Sequence, residues 1–217
     1  MIQSPSTLCS WSGGKDSCYA LMKSIGNGFK PTVLLNVLNE EGRISRSHGI
    51  PSSILQQQAA AVGLPMHLIS SSWQDYERIF TAALKELKQR YAVTHAVFGD
   101  IDLQPHRDWE EKVCAAVGLE AVLPIWQQDR RQLVMNMLEA GIETMIVSCN
   151  DQMGGEFIGQ TLTPTLVDRL EAMGIDACGE NGEFHTLVLN APIFKHRVHA
   201  KVVEVMQHEQ YWFGRLE

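Results

Sequence analysis

The segment Ser6-Thr7-Leu8-Cys9-Ser10-Trp11-Ser12-Gly13-Gly14-Lys15-Asp16-Ser17 sets an apolar strand directly against a glycine-rich turn. Residues 6–11 read as a buried strand, and the stretch through Tyr19, Ala20 and Met22 as a short helix broken at Gly26 and Gly28. Paired glycines let the backbone turn tightly and bring amide N–H groups close to an anion. The helix start adds unpaired donors and the positive end of a dipole. Ser12 and Ser17 offer hydroxyls and Lys15 a positive charge. Asp16 repels a bare phosphate, so its natural task is to hold Mg2+ that bridges phosphate oxygens. The spacing is not that of a Walker A loop, because Asp16 follows Lys15, and the third glycine of the dinucleotide fingerprint is missing. The bland alternative is a tight turn whose Ser and Asp cap the next helix.

Outward from this loop, apolar runs alternate with amphipathic segments. Residues 32–38 form a second strand, and a helix begins at Pro51 with Ile54, Leu55, Ala59 and Val62 on one face. Residues 66–69 are a third strand. Tyr76, Ile79, Phe80, Ala83, Leu84, Leu87 and Tyr91 follow the three–four spacing of an amphipathic helix. A fourth strand over 95–98 ends at Gly99-Asp100, followed by a helix over 111–117 and a strand near 121–123. The alternation predicts an α/β fold with a doubly wound parallel sheet, whose ligands bind beyond the carboxyl ends of its strands. Both Ser12 and Gly99-Asp100 fall at such ends. Beyond a boundary near Pro124, helices near 131–140 and 165–173 and strands over 144–148, 184–189 and 200–205 predict a smaller C-terminal α+β domain. The expected division is 1–124 and 125–217.

The 217 residues carry a formal charge of -7, with 45% hydrophobic and 20% charged residues. This acidic balance, without a Lys/Arg run, argues against broad nucleic-acid binding. Cys9, Cys18, Cys114, Cys149 and Cys178 form no Cys-x-x-Cys pair, and their odd number precludes full intramolecular pairing. Reduced thiols in a cytoplasmic protein are expected. The chain shows no signal-peptide pattern and no apolar run long enough to span a bilayer.

A second dense cluster is Cys178-Gly179-Glu180-Asn181-Gly182-Glu183-Phe184-His185-Thr186. His185 has the side chain whose ordinary pKa lies nearest neutrality, suiting it to acid–base work. Glu180 and Glu183 suit Mg2+, or a substrate amine or ammonium. A solvated turn before a strand is the competing account. Asp100 suits a second metal ligand or a ribose contact, with turn capping as its rival. Arg107 suits a phosphate or a substrate carboxylate, with surface solvation as an equal rival. His48, between Ser47 and Gly49, is placed to line a nucleotide pocket, although a lone loop histidine is more often solvated. Trp109, Trp126 and Cys178 read as packing residues.

The first loop resembles the PP-loop of the ATP pyrophosphatases. In that superfamily it binds the β- and γ-phosphates while a substrate oxygen attacks the α-phosphorus. Along nearly its whole length the chain resembles the diphthine–ammonia ligase family of PP-loop enzymes. The resemblance rests on residues 12–17, Gly99-Asp100 with Arg107 and Trp109-Glu110-Glu111, Gly118-Leu119, Pro124-Ile125-Trp126 and residues 179–186. It implies a Rossmann-like, adenine nucleotide alpha hydrolase-like domain followed by a smaller domain with the substrate site. The implied reaction uses ATP and Mg2+ to adenylate a carboxylate acceptor, protein or small molecule, which ammonia or an amine then amidates. AMP and pyrophosphate leave. The implied nucleotide site is Ser10, Trp11, Ser12, Gly13, Gly14, Ser17, Asn36, Val37, Leu38, His48, Gly99 and Asp100. In related folds the end of the second strand holds adenine by backbone contacts. Lys15, Asp16, Glu183 and His185 are the implied catalytic residues. Arg107, Glu180, Asn181 and Thr186 are the implied acceptor contacts, and Asp16 and Asp100 the metal ligands. Family members usually read Gly-Glu-Gly-Gly-Glu-Tyr-Glu-Thr in the second motif. Asn181, Phe184 and His185 depart from it and resemble the bacterial-type branch, linked to corrinoid salvage. Two other functions stand beside amidation: PP-loop sulfur transfer to tRNA, which commonly needs paired cysteines and a basic surface, and a nucleotide sensor without turnover. A homo-oligomer is compatible with the sequence.

Overall fold

The structure, a computed structural model, describes residues 4–217, so the first three residues of the expected first domain lie outside it. Five parallel strands form the first sheet: β1 Ser6–Ser10, β2 Lys30–Leu38, β3 Met66–Ser70, β4 His95–Val97 and β5 Glu120–Val122. Their spatial order, β3-β2-β1-β4-β5, places β1 at the centre with the chain winding away on both sides. The helices between them are α1 Lys15–Gly26, α2 Ser52–Val62, α3 Tyr76–Tyr91 and α4 Gln104–Ala116. This is a Rossmann-like α/β unit, and its switch point lies between the carboxyl ends of β1 and β4.

The period-2 alternation of a strand sorts the core into two layers. Leu8, Leu35 and Val37 pack with Phe80, Leu84 and Val113 on the α3–α4 face. Cys9, Leu34 and Leu38 pack with Ala20, Ile54 and Leu55 on the α1–α2 face. That second layer runs on into Ile146, Phe184 and Leu187, so a single apolar core joins the parallel sheet to the C-terminal half.

The C-terminal half contains α5 Arg130–Glu139, α6 Pro164–Ala172 and an antiparallel sheet of β6 Glu143–Asn150, β7 Phe184–Asn190, β8 Val202–His208 and β9 Tyr211–Leu216, in the order β7-β6-β9-β8. Two elements depart from the sequence expectation. Helix α4 starts seven residues before 111, with Pro105 in its first turn, where the missing N–H costs nothing. Strand β9 was not expected. Its hairpin turns at Glu209-Gln210, with Glu209 at φ 53°, and so carries none of the Asn-Gly or Asp-Gly chemistry that marks a tight turn. Gly214 also interrupts the strand pattern, because a Cβ there would come within 2.9 Å of Ile158 Cγ2. Among the described residues no helix is long and apolar enough to cross a membrane.

Candidate active site

The glycine-rich loop leaves β1 and opens α1 at the switch point. Gly13 adopts φ 88°, in the left-handed region that favours glycine. Gly14 is the N-cap of α1 and has no side-chain cap. Its amide donates instead to Ser12 Oγ at 3.2 Å, and Ser12 Oγ lies 3.1 Å from Ser17 Oγ. The loop therefore closes on its own hydroxyls and leaves the helix start facing the cleft. Gly99 serves this geometry by size: a Cβ there would sit 2.7 Å from Ser17 N and 2.8 Å from Asp16 C.

The underside of the loop is held by residues far away in sequence. Gly13 O accepts from Val188 N at 2.9 Å and from Gln58 Nε2 at 3.0 Å. Gln58, 0% exposed, also donates to Val188 O and accepts from Trp11 Nε1. Lys15 N donates to Thr186 Oγ1 at 3.1 Å. Lys15 Nζ donates to Asp16 Oδ2 at 3.0 Å and to Cys178 O at 2.5 Å. Strand β7 and the turn before it thus form part of the loop's foundation.

A cleft of about 710 Å³ opens above. Ser10, Ser12, Lys15, Asp16 and Ser17 line one side of it, with His48 beside them. Gly99 and Asp100 enter from the end of β4. Glu180, His185 and Thr186 enter from the second motif. Tyr76, Phe80 and Trp109 supply an aromatic wall from α3 and α4, with Tyr76 and Phe80 stacked at 5.9 Å and the Trp109 ring tilted against Phe80 at 5.2 Å. The two motifs picked out in the sequence, some 160 residues apart, therefore face one cavity.

Burial sets the charges in this cavity. It opposes the Lys15 ammonium, but Asp16, through its charge and hydrogen bond, together with Cys178 and Glu180, outweighs it and holds the lysine pKa above its ordinary value. It also pushes the Asp16 carboxyl up, which Lys15 only partly offsets. The 3.0 Å contact marks the two as an ion pair. Glu180 is raised to about 7 by burial and by the charges of Asp16 and Asp100. Burial likewise works on Asp100, but the hydrogen bond with His106 at 2.7 Å and the adjacent Glu110 carboxyl overcome it and leave this carboxyl low. Glu110, 3% exposed, is pushed up to about 11 by burial and by Asp100, so it is the proton-carrying partner of the pair. His185 is lowered to about 4 by burial and by Lys15, and burial holds His48 well below its usual range too. The two rings lie 4.5 Å apart. The sequence reading of His185 as a group titrating near neutrality is corrected here: in the fold its imidazole is neutral.

Several expected site residues lie elsewhere. Trp11, Asn36 and Val37 line a smaller adjoining pocket of about 70 Å³, and Leu38 lines neither cavity. Gly13 and Gly14 shape the loop without lining the cleft. Arg107 stays outside as well, paired with Glu111 at 2.7 Å and lying over Trp126 at 5.2 Å, on a turn of α4 that points away. Glu183 turns inward: its carboxylate accepts from Asn181 N at 2.9 Å, Asn181 Nδ2 at 3.0 Å and Asp176 N at 3.3 Å. With all these donors, Glu183 and Asn181 pin the turn and do not reach into the cleft.

Two supporting residues carried no motif signal. Gln58 is a polar position on the apolar face of α2, a pattern that signals a buried partner. Arg130 binds both Asp102 oxygens, at 2.7 and 2.8 Å, and reaches Asp176 and Asn181. Asp176 Oδ1 in turn accepts from Cys178 N and Gly179 N at 2.6 and 3.0 Å. This network ties the loop after β4 to the turn that receives Lys15.

Asp16 Oδ1 is buried without a hydrogen-bond partner, which fits a carboxylate oxygen meant for a cation. Among the described residues no three His, Cys, Asp or Glu side chains converge to hold a metal by themselves. Mg2+ characteristically takes one or two carboxylates and completes its shell from phosphates and water, so this donor set fits that ion.

Residues 6–121 match the diphthamide synthase N-terminal domain, and residues 129–216 match the diphthamide synthase C-terminal domain. The diphthine–ammonia ligase of Homo sapiens is 27% identical over 224 residues, covering 91% of this chain and 83% of that one. The enzyme of Rattus norvegicus is 26% identical with the same coverage. A solved structure described as a predicted subunit of tRNA methyltransferase from Methanocaldococcus jannaschii is 13% identical with a TM-score of 0.49, over 89% of this chain and all of that one. With both domain models matched in order across the chain, the protein belongs to the diphthamide synthase family.

Proposed function

We propose that the protein is an ATP-dependent ligase that forms a C–N bond, working as its diphthine–ammonia ligase relatives are named to do. An acceptor carboxylate oxygen attacks the α-phosphorus of ATP, the α–β bridging bond breaks, and pyrophosphate leaves. Ammonia or an amine then adds to the acyl carbon of the adenylate, loses a proton, and expels AMP to give an amide. The reading is carried by one observation: the Ser12–Ser17 loop and the Glu180–Thr186 turn line the same cleft. Residues 1–124 supply the nucleotide side and residues 125–217 the acceptor side.

In this scheme Ser12, Ser17 and the start of α1 bind the phosphates, with Gly13 and Gly14 shaping the approach. Lys15 adds a fixed positive charge beside them. Asp16, through its open oxygen, and Asp100 would hold Mg2+. The metal, when bound, supplies charge neutralisation at the phosphates. Glu180, His185 and Thr186 border the acceptor. A carboxyl with a pKa of about 7, as at Glu180, is matched to exchanging a proton at neutral pH. A neutral His185 serves as a hydrogen-bonding partner there. We place the protein in the cytoplasm.

Sulfur transfer is the less supported alternative. All five cysteines are buried and free. Cys178, which lines the cleft, is pushed up to about 12 by burial, and its thiol donates to Arg130 O at 3.0 Å. The thiolate, not the thiol, is the nucleophile. The deciding experiment incubates the full chain with ATP, Mg2+, an ammonium salt and a panel of carboxylates, following AMP and pyrophosphate. Acceptor-dependent AMP release is expected; ADP and phosphate as products would overturn the proposal.

A further inference from the structure

Beside the main cleft, the small pocket at the end of β2 is lined by two residues that each carry a buried side-chain atom without a hydrogen-bond partner: Asn36, through its acceptor Oδ1, and Arg46, through its donor Nε. A buried polar atom without a partner is costly, typically about 1–3 kcal/mol, and native proteins leave few of them. Here two of opposite character belong to residues that line the same pocket. Ser10, Ser12, Ser47, His48 and Tyr76 line both cavities, so the pocket opens directly off the phosphate loop.

Both side chains are held in place. Asn36 Nδ2 donates to Trp11 O at 2.7 Å. A carbonyl only accepts, so the amide must turn its NH2 toward Trp11 and its oxygen away. Arg46 N donates to Val37 O at 3.0 Å, which sets its backbone against the end of β2. Its guanidinium lies over the Trp73 ring, 4.6 Å from the centroid, while its Nη2 reaches Glu40 at 3.4 Å. The Val37 carbonyl is thereby engaged, and the side chains of Asn36 and Arg46 edge the pocket beside it.

We infer that Asn36 and Arg46 read the base of the nucleotide and select adenine over guanine; this rests on the ATP reading above. Adenine presents an amino donor at C6 flanked by ring-nitrogen acceptors, whereas guanine presents an oxygen acceptor at the same place. Asn36 Oδ1 accepts from the 6-amino group, and Arg46 Nε donates to a neighbouring ring nitrogen. Guanine would set its O6 against Asn36 Oδ1, acceptor against acceptor. A volume of about 70 Å³ suits the hydrogen-bonding edge of a purine, with the rest of the nucleotide in the main cleft. Sites built to hydrogen-bond a substrate group discriminate strongly against an analogue that lacks it.

The test is equilibrium binding of the full chain in Mg2+ and without acceptor to ATP, GTP and purine riboside triphosphate, which lacks only the 6-amino group. Wild type should bind ATP roughly tenfold or more tightly than purine riboside triphosphate, and GTP more weakly than ATP. In Asn36→Ala the ATP preference over purine riboside triphosphate should vanish. Arg46→Met, which deletes the donor but keeps an unbranched chain beside Trp73, should weaken both by one common factor, because both retain the ring nitrogens. General damage to the pocket would lower all affinities without erasing the ratio. The wild-type comparison needs no variant, so equal binding of ATP and purine riboside triphosphate overturns the inference outright. So does an undiminished ratio in Asn36→Ala. If ATP is bound and split to AMP in either case, base readout alone falls; if wild type binds no ATP, the nucleotide reading falls with it.

Discussion

Gly99→Ala adds one methyl group at the point where the end of β4 meets the start of α1. The added Cβ would lie 2.7 Å from Ser17 N, 2.8 Å from Asp16 C and 3.0 Å from Ser17 Cα. All three are backbone atoms, so no rotamer change relieves the contact. Restoring an ordinary 3.4 Å separation from the nearest of them requires a displacement of about 0.7 Å, the difference between 3.4 and 2.7. Either the first turn of α1 recedes or β4 does, and β4 is hydrogen-bonded on both sides, to β1 and β5. The helix start is the softer partner. Overpacking of this kind costs about 1–3 kcal/mol, and for a chain of this length each kcal/mol lowers Tm by roughly 2–4 °C. The functional effect should be larger than the stability effect suggests, because Asp16 and Ser17 carry the proposed metal and phosphate contacts, and a misplacement of about 1 Å can cost on the order of a hundredfold in rate.

The assay pairs urea unfolding with Mg2+-dependent ATP binding, and uses Gly26→Ala as the control. Gly26 ends the same helix and has nothing within 4 Å of an added Cβ. Alanine there should stabilise by about 0.4–1 kcal/mol through the unfolded state and leave ATP binding unchanged. Opposite signs at the two ends of one helix are expected. A Gly99→Ala protein with wild-type stability and wild-type ATP affinity would refute the claim that glycine is required there for close approach.

Gln58→Met keeps the volume but leaves Trp11 Nε1 without its acceptor and removes the amide shared by Gly13 O and Val188 O; a loss of about 1–3 kcal/mol in urea unfolding and weaker ATP binding are expected, and an unaltered unfolding midpoint would contradict the role given to it. Arg130→Met strands the Asp102 and Asp176 carboxylates. Since Arg130 holds the Asp102 pKa below its ordinary value, that pair adds stability above the unfolded carboxylate range which is lost as pH falls through the folded pKa. The variant should therefore be destabilised at pH 7, and its deficit should shrink in acid; an unchanged deficit across that range would count against the pairing. Glu180 and His185 act in opposite directions on acid titration. The folded Glu180 pKa of about 7 lies above the ordinary carboxyl value of 4.5, so stability present below about 4.5 is lost as pH rises toward 7. The folded His185 pKa of about 4 lies below the ordinary imidazole value of 6.5, so stability present above about 6.5 is lost as pH falls toward 4. Relative to wild type, Glu180→Gln should gain stability as pH rises from about 4.5 to about 7, and His185→Gln should gain it as pH falls from about 6.5 to about 4; equal offsets at all pH values would refute either assignment.

What the sequence made legible was what local chemistry encodes. The strand at Leu8 and Cys9, the loop after it and the amphipathic helix from Tyr76 to Tyr91 each carry their period or turn chemistry within a few residues, and each forms where expected. Ser12 and Gly99-Asp100 were legible as neighbours because both fall at carboxyl ends of strands, whereas residues 178–186 joined them only through the family resemblance. Orientation was not legible. Glu183 has the composition of a catalytic carboxylate, but its direction is decided by the amides of Asp176 and Asn181, which no spacing rule supplies. Arg107 sits on a helix whose start, at Gln104, lay hidden in a polar stretch, and the phase of that helix turns it toward Glu111. The His185 pKa depends on burial against Lys15, a contact spanning most of the chain.

The phosphate loop itself is a joint product of both halves. Three of its groups, Gly13 O, Lys15 N and Lys15 Nζ, find partners among residues 178–188. Each partner comes from the β7 strand or the turn leading into it, and that turn is in turn held by Glu183 and by Arg130 acting through Asp176. A change at the acceptor side therefore reaches the nucleotide side through two or three hydrogen bonds, without any long-range rearrangement. The shared apolar layer from Leu34 to Leu187 makes the two sheets one packed body around that contact. In the proposed reaction, which adenylates one substrate and then delivers a nucleophile to the product, such a shared foundation would keep the α-phosphorus and the acceptor in register through both steps, because Thr186 and Val188, which hold the phosphate loop, and His185, proposed to border the acceptor, are neighbours on β7.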